Sequence, residues 1–565
     1  MKLNNIFAPK SNFASKRKIG ESEIVMAGQI LKDYKNAKAA LEERIVENEQ
    51  WWKLRHKDYS KERADKQDSG SSSAWLFNAL ANKHADAMDS FPEATVLPRE
   101  KDDEEEAKKL SAIIPAIMEH NNFEEIYSNN WWYKLKHGCC AYGVFWNSEL
   151  EGGLGDIQIK KIDLLNIFWE PGITDIQKSR NLFIVSLRDR DILECEYPVL
   201  RGKDLGNSID IKEYIYDSTV DTSGKVAVVD WYYKIRNENG KTLLHYSKFV
   251  GENLLFASEN LEEYAYRGWY DHGEYPIVLD SLFPEEGTPA GFGFVAVTKN
   301  PQMYIDKLND AILENTLMAS KPRYFAKISA GVNENEFLDW SRPIVHVEGD
   351  INEERLRPIS VMQLPPASME MLRMKIDELK ETSSNSDFNR GAAVNGVTAA
   401  SAIAALQEAG NKVSRDMLKA TYRAYTKINY LCIELIRQFY TELRSFRVNN
   451  PDGGYGFTQY SNTNIRIPQK EDACRKSVFD IAVKTQKKSS YSRLSQNELA
   501  KELFNIGFFN PQNAMQSLSA LEIMDFDGKA AIEAKIRQIA NHSREVAEND
   551  TNNGARAEEF LLPEN

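Results

Sequence analysis

Five cysteines in 565 residues, at 139, 140, 195, 432 and 474, are too few for a disulfide scaffold, and no pair has the two-residue gap of a zinc knuckle. Cys139 and Cys140 are adjacent at a strand start and read as small buried thiols in a reducing cytoplasm. Long apolar runs are also missing. No run approaches the ~20 residues of a membrane span, and the opening MKLNNIFAPKSNF lacks the apolar centre of a signal peptide. The expectation is a soluble protein made in the cytoplasm, with no membrane partner. Catalytic fingerprints are absent too: there is no G-x-x-x-x-G-K-[ST] loop, no G-x-S-x-G elbow and no H-E-x-x-H pair, and Gly291-Phe292-Gly293 lacks the third glycine of a dinucleotide loop. No catalytic, cofactor or metal residue is therefore assigned. An excess of positive charge is missing as well. A formal charge of −13 argues against a sequence-reading DNA binder, which neutralises phosphates with a basic face.

What is present is an alternation of helical and strand periodicities that predicts an α+β fold of two to four domains. From Glu21 to Leu54, Ile24, Ala27, Leu31, Tyr34, Leu41, Ile45 and Trp52 keep nearly a heptad step, interrupted by Lys38 and Asn48, and predict a long helix packed on one side. A polar loop over Tyr59–Ser73 precedes a second helix, Ala74–Ser90. The acidic run Asp102–Glu106 resembles a metal cluster, but the apolar pattern at Leu110, Ile113, Ile114 and Ile117 makes it a helix N-terminus. Trp51-Trp52 and Trp131-Trp132 resemble base-stacking platforms; adjacent residues on a helix diverge by about 100°, so one ring of each pair is expected in a core and the other at its edge. Strands dominate Ala141–Ser258, with Asn239-Gly240 joining Val226–Arg236 to Lys241–Val250 and a third meander strand at Leu254–Ser258.

Ala319 to Arg447 is the most distinctive stretch. The preceding helix carries Tyr304, Ile305, Leu308, Ala311 and Ile312 at helical spacing from Pro301 and stops near Lys321-Pro322. A compact insert follows, with strand-like RYFAKI (323–328) and PIVHV (343–347) around a short helix at Glu334–Trp340. Pro365-Pro366 then opens a helix with a seam of Met369, Leu372, Ile376 and Leu379. An Ala/Gly/Asn-rich loop, NSDFNRGAAVNGVT (385–398), leads into a helix expected from Ala399 to about Arg447. The breaker NNPDGGYG (449–456) precedes strands at Thr463–Ile467 and Phe479–Val483, and helices resume from Ser492, parted by Asn510-Pro511.

This order of parts resembles the portal protein of tailed bacteriophages. No single string carries the resemblance; the sequence of elements does. It implies a flexible N-terminus (1–20), a first wing portion of helices and β-layers (21–300), stem helices (301–320 and 365–384), a small α/β clip (321–364) and a tunnel loop (385–398). A long helix (399–447), returning wing strands (448–490), a C-terminal helical crown (491–545) and a disordered acidic tail (546–565) complete it. It further implies a homo-oligomeric ring of twelve subunits, as in the family, at a capsid vertex of the virion, assembled in the host cytoplasm. Double-stranded DNA would pass through during packaging and ejection without being gripped, which net acidity permits. The terminase large subunit would supply the ATP hydrolysis, and a head-completion adaptor, the major capsid protein and scaffolding protein are the other implied partners. Asn389, Arg390 and Asn395 would line the channel, and Glu334, Glu336, Asp339 and Trp340 would meet terminase or adaptor on the clip. Two other readings stay open on the residues alone: a nucleic-acid-processing enzyme with dispersed acidic metal ligands, and another structural virion component such as a collar or scaffold.

Overall fold

The computed structural model describes residues 19–55, 72–203, 205, 209–216, 219–236, 240–320, 323–326, 333–338, 346, 356–359, 364–383, 412–449, 455–465, 477–487, 501–508, 510, 514–523, 532–533 and 535–538. The fold is mixed helix and sheet, in two compact units: residues 1–88 with 92–484, and residues 89–91 with 485–565. In the second, a helix at Ala514–Ile523 and residues 501–505 and 535–538 enclose a small core of Leu521 and Ile536, packed by Phe508, Leu518 and Ile532.

The first unit is built on two antiparallel sheets. A five-stranded meander runs β4 (Ile167–Trp169), β5 (Asn181–Asp189), β6 (Lys225–Arg236), β7 (Thr242–Val250) and β8 (Asn253–Ala257) in chain order. Helix α1 (Glu21–Trp52) covers one face, where Ile24, Ala27, Leu31 and Tyr34 meet Phe168, Phe183, Val229, Trp231 and Phe249. The two residues that interrupt its apolar stripe are buried anchors. Lys38 donates to the carbonyls of Leu164 and Ile167, and Asn48 Nδ2 donates to that of Lys136 at 3.1 Å. Burial pushes the Lys38 ammonium down to about 8.

The second sheet is three-stranded, in the order β3 (Asp156–Ile162), β2 (Cys139–Asn147), β9 (Ile277–Ser281). Helices α2 (Trp75–Met88), α3 (Glu104–His120), α4 (Phe123–His137) and the later α7 (Lys412–Phe439) accompany it, and β1 (Ser90–Pro98) pairs with β16 (Phe479–Lys487). A wholly buried network joins α4, β9 and α7: Lys134 Nζ donates to Asp280 Oδ1 and to Thr421 Oγ1, both at 2.7 Å, and Thr421 Oγ1 donates to Asp280 Oδ2 at 2.8 Å. Each charge lacks water, so the three groups are stable only together. Cys139 and Cys140 are buried thiols, as the sequence implied; Cys432 is buried too, and Cys195 is exposed.

The tryptophan pairs divide as their helical spacing requires. Trp51 and Trp131 are buried, while Trp52 and Trp132 lie half-buried with ring centroids 5.1 Å apart. Asp102 and Asp103 form a 3-10 turn leading into α3, so the acidic run is a helix start.

Several expectations are corrected. The helix placed from Pro301 begins at Phe294. It continues through the proline because buried residues hold it on both sides: Phe294, Val295 and Thr298 before, Gln302, Ile305 and Asp306 after. The long helix ends at Phe439, not Arg447, because Arg444–Asn449 is a strand (β14) paired in register with β15 (Tyr455–Tyr460). Asn462–Asn464 forms a single 3-10 turn where a strand over Thr463–Ile467 was expected. There Asn462 Nδ2 holds the Arg437 carbonyl at 2.7 Å, ending α7.

His245 on β7 is buried beside Tyr233, its Nδ1 3.2 Å from Ser258 Oγ, and burial pushes its pKa down to about 4. The unfolded chain, titrating near ~6.5, binds this proton first, so the contribution is complete above about pH 6.5 and is lost as pH falls to about 4, by up to ~3 kcal/mol. His245→Phe is expected to flatten the fall in urea-unfolding stability between those pH values, with buried His137, also pushed down to about 4, keeping its own share. An unchanged slope contradicts the assignment.

Candidate functional site: a two-helix arm

Helix α5 (Phe294–Ser320) and helix α6 (Pro366–Thr382) lie side by side and make an arm whose two halves differ sharply. Its root is locked. Strand β9 passes through the hairpin β10 (Phe283–Glu285) and β11 (Thr288–Phe292) to Gly293, which lies against the end of α4. A Cβ on Gly293 would sit 2.7 Å from Gly138 N and from Leu135 O, so only glycine allows this approach. Gly138 itself has φ +96°, and a Cβ there would meet the backbone of Phe292 at 2.2 Å.

About two turns into α5, Gln302 and Asp306, four residues apart on one buried face, receive the start of α2. Gln302 Oε1 accepts from Leu76 N–H at 3.0 Å, and its Nε2 donates to Ser73 O and Asp306 Oδ1, each at 2.9 Å. Asp306 Oδ1 also accepts from Ser73 N–H (2.9 Å) and Oγ (2.8 Å). Helix starts leave N–H groups without intrahelical partners, and here the arm supplies acceptors. Ala79, Ile305 and Leu379, with Trp75, Leu372 and Ile376 against them, form the apolar part of the root.

Beyond Asp306 the burial stops. No later residue of α5 is buried, and in α6 only Leu379 is. Leu313, Leu317, Met318, Met371 and Met374 are each 50% exposed or more, and Met369 is at 47%. Full burial of one such side chain is worth about 1.5–3 kcal/mol, so several of them left in water at one end of the arm mark a surface for association. Methionine, unbranched and polarisable, suits an interface that must adapt. Polar contacts decorate the same helices, including Lys375–Glu378 at 2.6 Å and Lys375 Nζ 5.6 Å from the Tyr304 ring centre.

At the tip, β12 (Arg323–Ala326) pairs antiparallel with β13 (Leu356–Ile359), and a short helix spans Glu334–Leu338. The sequence placed a strand at 343–347; the strand that pairs with β12 is 356–359, and 343–345 and 347 lie outside the described residues. Glu334 lies on the short helix. Glu336 Oε2 accepts from His346 N–H at 2.9 Å and lies 2.8 Å from its Nδ1. Asp339, Trp340, Asn389, Arg390 and Asn395 lie outside the described residues, as does 399–411 of the expected long helix.

One group with metal-ligand spacing lies away from the arm: atoms of His120, Glu151 and Asp156 fall within 4.8 Å of one another. Asp156 is engaged by Tyr440 Oη at 2.6 Å, and the Arg444 guanidinium donates to the carbonyls of Gly155 (2.6 Å) and Leu154 (2.9 Å). No helix among the described residues is long and apolar enough to cross a membrane.

The Gln302–Asp306 pair and the Gly138–Gly293 contact were missed in the sequence. Two polar residues four apart beside Ile305 were the available signal for the first; the second, set by residues 155 apart in the chain, had none. No curated protein matches the chain. A family model described as "Phage P22-like portal protein" matches residues 86–280 and 285–559, the two-helix arm included, and the chain belongs to that family.

Proposed function

We propose that this chain forms a closed ring of about twelve copies at one capsid vertex, through which double-stranded DNA enters during packaging and leaves during ejection. Portal proteins are structural, so the energy-consuming step falls to the terminase large subunit. In this reading α5 and α6 are the stem, 321–364 the clip that receives terminase and then a head-completion adaptor, and 385–398 the loop nearest the DNA. The wing and crown face the major capsid and scaffolding proteins.

The observation that carries the reading is the uncovered distal half of the arm. Its apolar residues are largely exposed in the single protomer, and head-to-tail packing of identical arms around a closing rotation would cover them. The loop NSDFNRGAAVNGVT supports the channel role through its composition: its only formal charges, Asp387 and Arg390, cancel, and tight phosphate binding requires several cations.

Light scattering is expected to give a particle many times the 64.5 kDa protomer mass. Leu317→Asp combined with Met374→Asp should yield folded protomers, since both side chains are exposed in the single chain; a wild-type monomer, or rings unaffected by both charges, removes the proposal. Shortening 385–398 by a few residues should leave rings intact and impair packaging or retention of DNA, and full-length genomes held normally would reduce the loop to a linker. Charge reversal at Glu334 and Glu336 should weaken terminase docking without dissolving rings, and normal docking excludes these two residues.

A further inference from the structure

Strand β9 is the outer strand of its sheet, and its hydrogen-bond parity is fixed. Leu282 N–H donates to Gly138 O at 2.7 Å and Val144 N–H to Pro276 O at 2.8 Å, while Val278 faces Tyr142 and Asp280 faces Cys140. Bonded and non-bonded pairs alternate along an antiparallel ladder, so residues 276, 278, 280 and 282 direct their backbone groups to β2. Ile277, Leu279 and Ser281 direct theirs the other way. Gln177 Nε2 reaches Ile277 O at 3.4 Å; the backbone N–H and C=O of Leu279 and Ser281 have no protein partner among the described residues.

These groups open into a groove of about 930 Å³, walled on the far side by α7 and bounded by Pro284 and Pro289 of the β10–β11 hairpin. The acids of the groove are largely answered: Asp480 by Arg99 at 2.7 Å, Asp280 by Lys134, and Asp175 and Glu274 by the nearby Lys234 ammonium. Arg423 and Lys427 on α7 are exposed and have no partner among the described residues; Asp416 is about two turns away on the same helix. Two cations, Arg423 and Lys427, thus stand against the single acid Asp416, and the unanswered charge of the groove is net positive.

We infer that this groove takes an extended segment of a partner protein that adds a strand to β9 and places two carboxylates, at alternate positions, on Arg423 and Lys427. The spacing matches: residues i and i+4 on a helix rise ~6 Å, and residues i and i+2 on a strand ~6.6 Å. An open edge is a template for another strand, its backbone bonds supplying affinity and the side chains the choice. The hairpin beside it does not serve, because Pro284 and Pro289 lack the N–H that a ladder needs. Nucleic acid lacks alternating donors and acceptors at strand spacing, so the match is to polypeptide.

The probe is a fluorescein-labelled peptide, Thr-Val-Glu-Val-Glu-Val-Thr, capped at both ends, titrated against the full chain by anisotropy. Saturable binding is expected. It should weaken about tenfold or more with Arg423→Glu plus Lys427→Glu, vanish for the lysine counterpart of the peptide, and vanish when the peptide amides on one edge, but not the other, are N-methylated. The last comparison uses the wild-type chain and so does not depend on a variant folding. No saturable binding up to about 1 mM, equal binding of the lysine peptide, or indifference to N-methylation on either edge overturns the inference. Binding to the Leu317→Asp/Met374→Asp protomer but not to the assembled particle overturns it also, by assigning the edge to a neighbouring copy.

Discussion

One ammonium group fixes the position of the arm. Lys134 is shut away from water, and its charge is balanced only by Asp280, with Thr421 completing both sets of hydrogen bonds. Removing one partner of such a pair typically costs ~3–5 kcal/mol, because the other charge stays buried and unpaired. The consequence is geometric as much as energetic. Lys134 stands one turn before Gly138 on α4, and Asp280 stands on the strand that leads into Gly293 and the arm. The backbone contact of the two glycines, possible only without side chains, then sets where α5 begins. Thr421 ties the helix that follows the arm to the same point.

From that root outward the arm gives up its protection. Gln302 and Asp306 complete the start of α2 and close the polar part of the root; beyond them both helices face water with leucine and methionine. A single chain would not retain such a surface without something to cover it, since ordering two helices costs conformational entropy that exposed apolar groups do not offset. The family to which the chain belongs makes identical neighbours the natural cover. The root is packed within the protomer, and in the proposed ring the distal half is completed between protomers.

Periodicity made most of the elements readable. The meander β6–β7–β8 followed from alternation and an Asn-Gly pair, and α1 from a near-heptad stripe, because both signals are local. Lys38 and Asn48 read as defects in that stripe, yet both are anchors whose acceptors, the carbonyls of Leu164, Ile167 and Lys136, lie about 90 to 130 residues away. The same limit explains the helix ends. Pro301 looked like a start because an isolated helix avoids an internal proline; tertiary packing on both sides overrides that preference. Arg447 looked helical until β15 supplied a strand partner for Arg444–Asn449. Of the seven residues assigned to clip and channel, Glu336 has a described side-chain environment, against His346. The ring contact proposed for the arm rests on an apolar surface that sequence could mark as a seam but could not show to be uncovered.

The central claim is that the distal parts of the arm, residues 307–320 and 366–371, are protected by neighbouring copies, whereas Leu372 and Ile376 belong to the root. Amide hydrogen exchange, compared between the assembled particle and the Leu317→Asp/Met374→Asp protomer, tests it directly. The account predicts strong protection of these two segments in the particle, fast exchange in the protomer, and equal protection of β6 and α4 in both. Slow exchange of the distal arm in a folded, isolated protomer would contradict it.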